Sequence, residues 1–265
     1  MTHTVKDRPA TIVSRTADPG TRPEGATNER EARQFVRRMF SDIAGRYDLL
    51  NHLLSANLDH VWRRRTAVAF DHILRRPDAR VLDVCCGTGD LALAMKRQAA
   101  HSCSPGAAIY GTDFAHSMLT RAMEKSESGI RYTEGDALGL PFPDSSFDLI
   151  TTAFGFRNLT SYDAGLREFL RLLRPGGELA ILECAEPRGA LFGPLYRFYF
   201  HRILPLVGRA VSGSSFAYSY LPASVSKFPQ PDLLEEMMSQ AGFTGVRHQL
   251  WTGGSVALHT GQRPA

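Results

Sequence analysis

The chain has 265 residues, 43% of them hydrophobic, and a formal net charge of +4. That suffices for one sizeable core and is marginal for two. No run approaches the ~18 consecutive apolar residues of a membrane span, and the mild positive charge permits contact with an anionic surface without demanding it.

Residues 1–28 lack the apolar stretch of a secretory signal and are rich in Thr, Pro, Arg and Gly. They read as a disordered leader ahead of a single domain over 29–265. Their Arg and Ser content suits a transit peptide, but Asp7, Asp18 and Glu24 count against one. Residues 29–74 are helical in pattern, with Phe35, Met39, Ile43 and Tyr47 at helical spacing and Leu50, Leu53 and Leu54 following suit. Trp62, Arg63, Arg64 and Arg65 open a basic helix, either a solvated face or a contact for lipid headgroups.

The stretch VLDVCCGTGDLAL, from Val81, reads as strand, glycine turn and helix. Val81, Leu82 and Val84 suit a buried parallel strand, and Gly87 and Gly89 allow a tight turn and close approach to a ligand. Gly87 to Ala92 also fit a loose dinucleotide fingerprint, a weak signal by itself. Asp90, however, stands where a pyrophosphate would sit and would repel it. With Asp83 before the turn, the two carboxylates better suit a ligand with a cationic amino group and no phosphate, such as S-adenosylmethionine.

A second strand, Ala108 to Asp113, ends in an acid roughly two dozen residues past the glycines, near the ~20 expected for a carboxylate that accepts ribose hydroxyls. A third, Ile130 to Glu134, leads into Gly135, Asp136 and Ala137. There a carboxylate can accept from an adenine amine and the Ala137 amide can donate to a ring nitrogen. Each acid alone also reads as a strand-end cap, but the three features at three successive strand ends agree on one ligand.

Leu140 to Asp144 form a turn and Phe147 to Phe154 a fourth strand. An amphipathic helix from Asp163 to Leu173 stops at Arg174-Pro175-Gly176-Gly177, a sharp turn into a fifth strand over Glu178 to Glu183. Residues 187–231 break the alternation with Phe192, Tyr196, Phe198, Tyr199, Phe200, Phe216, Tyr218 and Tyr220. A helix from Asp232 to Gln240 precedes two short strands, Val246 to Leu250 and Ser255 to His259, around Gly253-Gly254. The expected fold is α/β: a doubly wound, mostly parallel sheet with an N-terminal helical lid and a closing antiparallel hairpin. Cys85, Cys86, Cys103 and Cys184 show no C-x-x-C spacing, so a reducing cytoplasm with no disulfide and no metal site is expected.

From about Phe35 to His259 the chain resembles the ubiquinone/menaquinone biosynthesis C-methyltransferases, class I S-adenosylmethionine-dependent enzymes. The marks are Met39-Phe40, Ile43-Ala44, Arg46-Tyr47-Asp48, Asn51, Leu54-Ser55, Trp62-Arg63, the Gly87-Thr88-Gly89-Asp90 loop, Leu140-Pro141-Phe142, Phe154-Gly155 with Arg157-Asn158, and Val256-Ala257-Leu258-His259. The Arg-Tyr-Asp and Phe-Gly-x-Arg-Asn segments are the most specific. The resemblance implies cofactor contacts at Thr88, Asp113, Asp136 and Ala137. The family often has a serine before Phe154; here Ala153 stands there, leaving a backbone group to serve.

The implied reaction is methyl transfer to a ring carbon of a prenylated hydroquinone, demethylmenaquinol giving menaquinol, with a benzoquinol as the alternative. Arg157 would stabilise a phenolate and Asn158 would orient a hydroxyl or water, unless both are local loop caps. Tyr47 and Asp48 read as part of a lid or as a helix-end cap, and His201 and His248 as ordinary histidines. The aromatic insertion between Leu191 and Leu221 would hold the prenyl tail at ~0.8 kcal/mol per buried CH2 or simply cap the sheet. Arg197, His201 and Arg202 exclude a span there and suggest peripheral contact with the inner face of the cell membrane. A nucleic-acid methyltransferase is disfavoured by Phe154-Gly155-Phe156 after the fourth strand, a nicotinamide dehydrogenase by Asp90. A non-catalytic module of the same fold is disfavoured by intact Thr88, Asp113 and Asp136.

Overall fold

The computed structural model describes residues 20–101, 107–126, 129–187, 189, 192–198, 202 and 216–265. Expectations that fall on residues 1–19, Cys103, Leu191, Tyr199, Phe200 and His201 lie outside the described residues. So do those on the side chains of Leu50, Phe192, Arg197, Phe216, Tyr218 and Leu221.

The helical N-terminus is α1 (Glu29–Ile43), α2 (Tyr47–Leu54), α3 (Leu58–Ala69) and α4 (Asp71–Leu74). Asn28 starts α1 by accepting from the Glu31 amide, and the Glu31 carboxylate reaches back to the Thr27 amide at 2.8 Å; the two bonds satisfy donors that a helix start leaves open. Upstream, the Thr21 amide donates to the Leu159 carbonyl at 2.7 Å, so the chain from residue 20 packs on the core. In the basic helix α3, Trp62 and Arg63 are buried, Arg64 is exposed, and the Arg65 guanidinium stacks 4.6 Å from the Trp251 ring centroid. Only part of that run is a solvated face. Leu53, at helical spacing with Leu50 and Leu54, is 48% exposed, and Leu49, Leu58 and Val61 are also exposed.

Alternating elements follow: β1 (Arg80–Val84), α5 (Asp90–His101), β2 (Ala108–Asp113), α6 (His116–Lys125), β3 (Ile130–Glu134), β4 (Phe147–Ala153), α7 (Tyr162–Leu172) and β5 (Leu173–Cys184). Beyond them lie α8 (Phe192–Phe198), α9 (Phe216–Lys227), α10 (Pro231–Gln240), β6 (Thr244–Trp251) and β7 (Val256–Gln262). The seven strands form one sheet in the order β3-β2-β1-β4-β5-β7-β6. β1 to β5 run parallel, while β7 is antiparallel to both β5 and β6. Helices cover both faces. Trp62, Phe70, Leu74, Leu91 and Met95 pack on one, Phe147, Phe156, Leu166, Phe169 and Leu234 on the other.

The order reverses between β1 and β4, so a crevice opens above the carboxyl ends of these strands, the usual ligand position in such sheets. The segment Arg174-Pro175-Gly176-Gly177, expected to end one element before the next begins, instead lies inside β5, where pairing with β4 shifts register between Phe147 and Leu149. The physical reason is the C-terminus. Gly176 adopts φ +75, and it and Gly177 bond to the Arg263 backbone at 3.0 and 2.9 Å. The segment is thereby stitched into the sheet.

Candidate active site

The loop after β1 doubles back through three left-handed residues, Cys85, Gly87 and Gly89 (φ +55, +55 and +85). Phe154, after β4, is left-handed as well (φ +59). Two non-glycine residues in this sparsely allowed region, one on each side of the crevice, are backbone strain of the kind that clusters at functional sites.

Between these loops lies a cleft of about 640 Å³, its mouth included, whose lining includes Phe40, Tyr47, Asp113, Asp136, Ala137 and Asn158. Asp113 closes β2. Its Oδ2 accepts from the Gly87 amide and its Oδ1 from the Ala115 amide, each at 2.9 Å. Burial raises its carboxyl to about 6, against the pull of those amides. Each oxygen keeps a second lone pair for a hydroxyl. Asp136 follows β3; its Oδ1 accepts from the Leu138 amide at 3.0 Å and its Oδ2 lies 3.0 Å from Arg33 Nη1 on α1. Ala137 beside it is buried.

A smaller cavity of about 280 Å³ adjoins the cleft, sharing Tyr47, Cys85 and Gly87 with it and adding Arg63, Asp83, Thr88 and Asp90. A Cβ at Gly87 would point at the Tyr47 ring 3.6 Å away, into the space shared by the two cavities. Thr88 donates its hydroxyl to Asp48 and accepts from Lys125 Nζ at 3.1 Å. Lys125 also bonds Asp48 and Asp90, so α2, α6 and the glycine loop meet at one ammonium. Both oxygens of Asp83 are engaged, by the Ala92 amide at 3.1 Å and the Thr151 hydroxyl at 2.9 Å. Burial pushes its carboxyl up to about 7. Asp83 therefore anchors the start of α5, and Asp90 is committed to Lys125, so the two are not the free pair of carboxylates the sequence suggests.

Arg157 lines neither cavity. It is 6% exposed, with Nη1 donating to Glu183 Oε1 at 2.7 Å and its amide to Glu183 Oε2 at 3.2 Å. Burial is the largest single influence and disfavours its charge, but the Glu183 carboxylate together with the neighbouring Cys184, Tyr47 and Tyr220 more than offsets it and keeps the guanidinium protonated. Its Nε is buried with no hydrogen-bond partner among the described residues. Asn158 does line the cleft, and its Oδ1 accepts from the Tyr220 hydroxyl at 3.0 Å. Tyr220 lies 3.1 Å from Thr21 Oγ1 in turn, which ties the aromatic insertion to both the cleft and the N-terminal segment.

Glu183, Arg63, Arg33 and Lys125 are the polar groups that sequence reading missed here. Glu183 carried a signal as an acid at the end of a central strand, and Arg63 carried one only as part of the Trp62-Arg63 mark, without a role in the site. Among the described residues, three potential metal ligands converge, in His52, Asp59 and His60. The imidazoles stack at 4.1 Å, and Asp59 is bonded to His52, Ser55 and Arg63, so the cluster braces α3.

An open sheet with carboxylates at the ends of β2 and β3 and no phosphate cradle defines a class I S-adenosylmethionine-dependent methyltransferase. Solved structures share the fold: a SAM-dependent methyltransferase from Thermotoga maritima (TM-score 0.59, 17% identity, 85% of this chain and 98% of that one) and another from Aquifex aeolicus (TM-score 0.55, 15% identity, 81% and 97%). The chain belongs to the ubiE/COQ5 methyltransferase family, whose profile matches residues 26–263. It is 50% identical to a demethylmenaquinone methyltransferase of Thermus thermophilus over 229 residues, 85% of this chain and all of that protein. It is 46% identical to a protein of the same name from Deinococcus radiodurans (87% and 93% covered), and 41% identical to the ubiquinone/menaquinone biosynthesis C-methyltransferase UbiE of Geobacter sulfurreducens (88% and 90%).

Proposed function

We propose that this methyltransferase converts demethylmenaquinol to menaquinol by C-methylation. The observation that carries the reading is the cleft itself: Asp113 and Asn158 line one space, and Arg157 lies buried beside Asn158 with an unpaired Nε. The names of the relatives from Thermus thermophilus and Deinococcus radiodurans support the naphthoquinol over a benzoquinol.

S-adenosylmethionine supplies, when bound, an electrophilic methyl group on a cationic sulfur. In this reading Asp113 accepts from the ribose hydroxyls, Asp136 and the Ala137 amide take the adenine edge, and Thr88 holds the loop beneath through Asp48 and Lys125. A hydroquinone carbon gains nucleophilicity as the neighbouring hydroxyl gives up its proton. A guanidinium held charged by Glu183 accepts no proton, so Arg157 acts by favouring the phenolate, an electrostatic contribution made in a water-poor site. Asn158, oriented by Tyr220, fixes the hydroxyl. Phe40, Tyr47 and Phe154 exclude water and hold the ring near the ~3–3.5 Å approach that transfer requires.

No helix among the described residues is long and apolar enough to cross a membrane. The exposed Leu49, Leu53, Leu58 and Val61 on α2 and α3 support peripheral contact with the inner face of the cell membrane, where a prenylated quinol resides.

The test is a mass-resolved assay with labelled S-adenosylmethionine and demethylmenaquinol, beside demethoxybenzoquinol and tRNA. Methylated naphthoquinol is expected. Label on both quinols widens the substrate range, and label on RNA alone or on nothing overturns the proposal.

A further inference from the structure

Arg63 is a buried cation with one side committed and the other facing the smaller cavity. It is 6% exposed on α3. Its Nη1 donates to Asp59, itself 2% exposed and held by His52 Nδ1 at 2.8 Å and Ser55 Oγ at 2.7 Å. The guanidinium carbon lies 5.4 Å from the Phe154 ring centroid. On the other side, Nη2 has Asp90 Oδ2 at 3.8 Å, beyond hydrogen-bond range. Arg63 lines the smaller cavity with Thr88 and Asp90, and that cavity shares Tyr47, Cys85 and Gly87 with the lining of the main cleft.

A guanidinium fixed at one edge is preorganised to receive a planar anion at the other. The surroundings select which anion. Asp83 and Asp90 line the same cavity, so a phosphate would add two negative charges beside two carboxylates. A zwitterionic amino-acid group adds no net charge and leaves the balance of Arg63, Asp59, Asp90 and Lys125 unchanged. We infer that Arg63 binds the α-carboxylate of the cofactor's amino-acid end, with Asp59 holding the guanidinium in position. The inference rests on the cofactor alone and not on the quinol, so the two readings fail separately.

The experiment is calorimetric titration of the whole chain with S-adenosylhomocysteine and with 5′-methylthioadenosine, which keeps the nucleoside and thioether but lacks the amino-acid end. Arg63→Gln weakens S-adenosylhomocysteine by about 10- to 100-fold, the range of a charge-assisted hydrogen bond. Binding of 5′-methylthioadenosine stays unchanged, and Arg63→Lys recovers part of the loss. Because Arg63→Gln leaves the buried Asp59 carboxylate without its guanidinium, with only His52 and Ser55 to hold it, the double variant Asp59→Asn/Arg63→Gln is titrated alongside, with the same selective loss expected. An equal loss for both ligands would make Arg63 a structural brace and overturn the inference, as would unchanged S-adenosylhomocysteine affinity. If neither variant folds, the unaltered protein still decides: decarboxylated S-adenosylmethionine binding as tightly as S-adenosylmethionine overturns it, and weaker binding supports it.

Discussion

Arg33 Nη1 stands 3.0 Å from Asp136 Oδ2, which ties the first helix to the carboxylate after β3. One turn along α1, Arg37 pairs with Glu134, and His116 approaches the same carboxylate at 3.2 Å. The helix therefore spans the end of the cleft where adenine is expected, held by exposed pairs that contribute only about 0–1 kcal/mol each. Arg33→Ala should lower Tm by no more than about 2–4 °C and shift the dissociation constant of S-adenosylhomocysteine by less than about threefold. Asp136→Ala should weaken the same ligand by about tenfold or more, because the carboxylate also orients the Leu138 amide. Melting curves and titrations of the two variants check both.

The Arg157–Glu183 pair behaves differently because it is buried. Glu183→Gln leaves a buried guanidinium unpaired and should cost about 3–5 kcal/mol, whereas replacing both residues by apolar ones of similar volume should cost far less or nothing. If Arg157 stabilises a phenolate, the apolar double variant is a stable protein with normal cofactor affinity and little turnover. Urea unfolding, titration and the methylation assay separate these effects, and an active double variant would remove Arg157 from the chemistry.

Tyr220→Phe deletes the hydroxyl that links Asn158 to Thr21. About 1 kcal/mol of stability should go with it. The kinetic effect should fall on the quinol, as a higher KM or lower kcat, while S-adenosylhomocysteine affinity stays constant. Steady-state kinetics with the quinol varied tests this directly.

Asp83 supplies a pH dependence whose sign is defined. Burial raises its folded-state pKa from the ordinary carboxylate value of 3.8 to about 7, so the folded state binds more protons between these limits. Its contribution to stability is complete below about pH 4 and is lost as the pH rises through 7. Asp83→Asn, neutral throughout, should remove that loss, so the stability of wild type relative to the variant declines from pH 4 to 8. Parallel urea titrations across that range would show it, and a constant difference would mean that Asp83 is charged in the fold.

Much of the chemistry was legible before folding. Val81 to Met95 announce a buried strand, a glycine turn and a helix because the signals are local, namely apolar runs, period and backbone freedom, all within this one short stretch. Asp113 and Asp136 were legible as strand-end acids, since a parallel α/β sheet puts all such ends on one rim. The bulge inside β5 was hidden, because Pro-Gly-Gly ordinarily ends an element and here is held by bonds from Arg263.

Local signals in the sequence thus specify the alternation of elements, the rim where the cleft opens and the acids Asp113 and Asp136 that line it. Tertiary structure alone decided which charges meet. Arg157 and Glu183 are 26 positions apart, and Thr21 and Tyr220 are 199 apart. Arg63, read as one of three surface arginines, points inward because Asp59 one turn earlier is buried with it and the cavity beside Asp90 lies beyond. Local periodicity specifies a face of a helix. It does not specify what the other elements bring to that face, which depends on strand order and on the cost of leaving a buried charge without a partner.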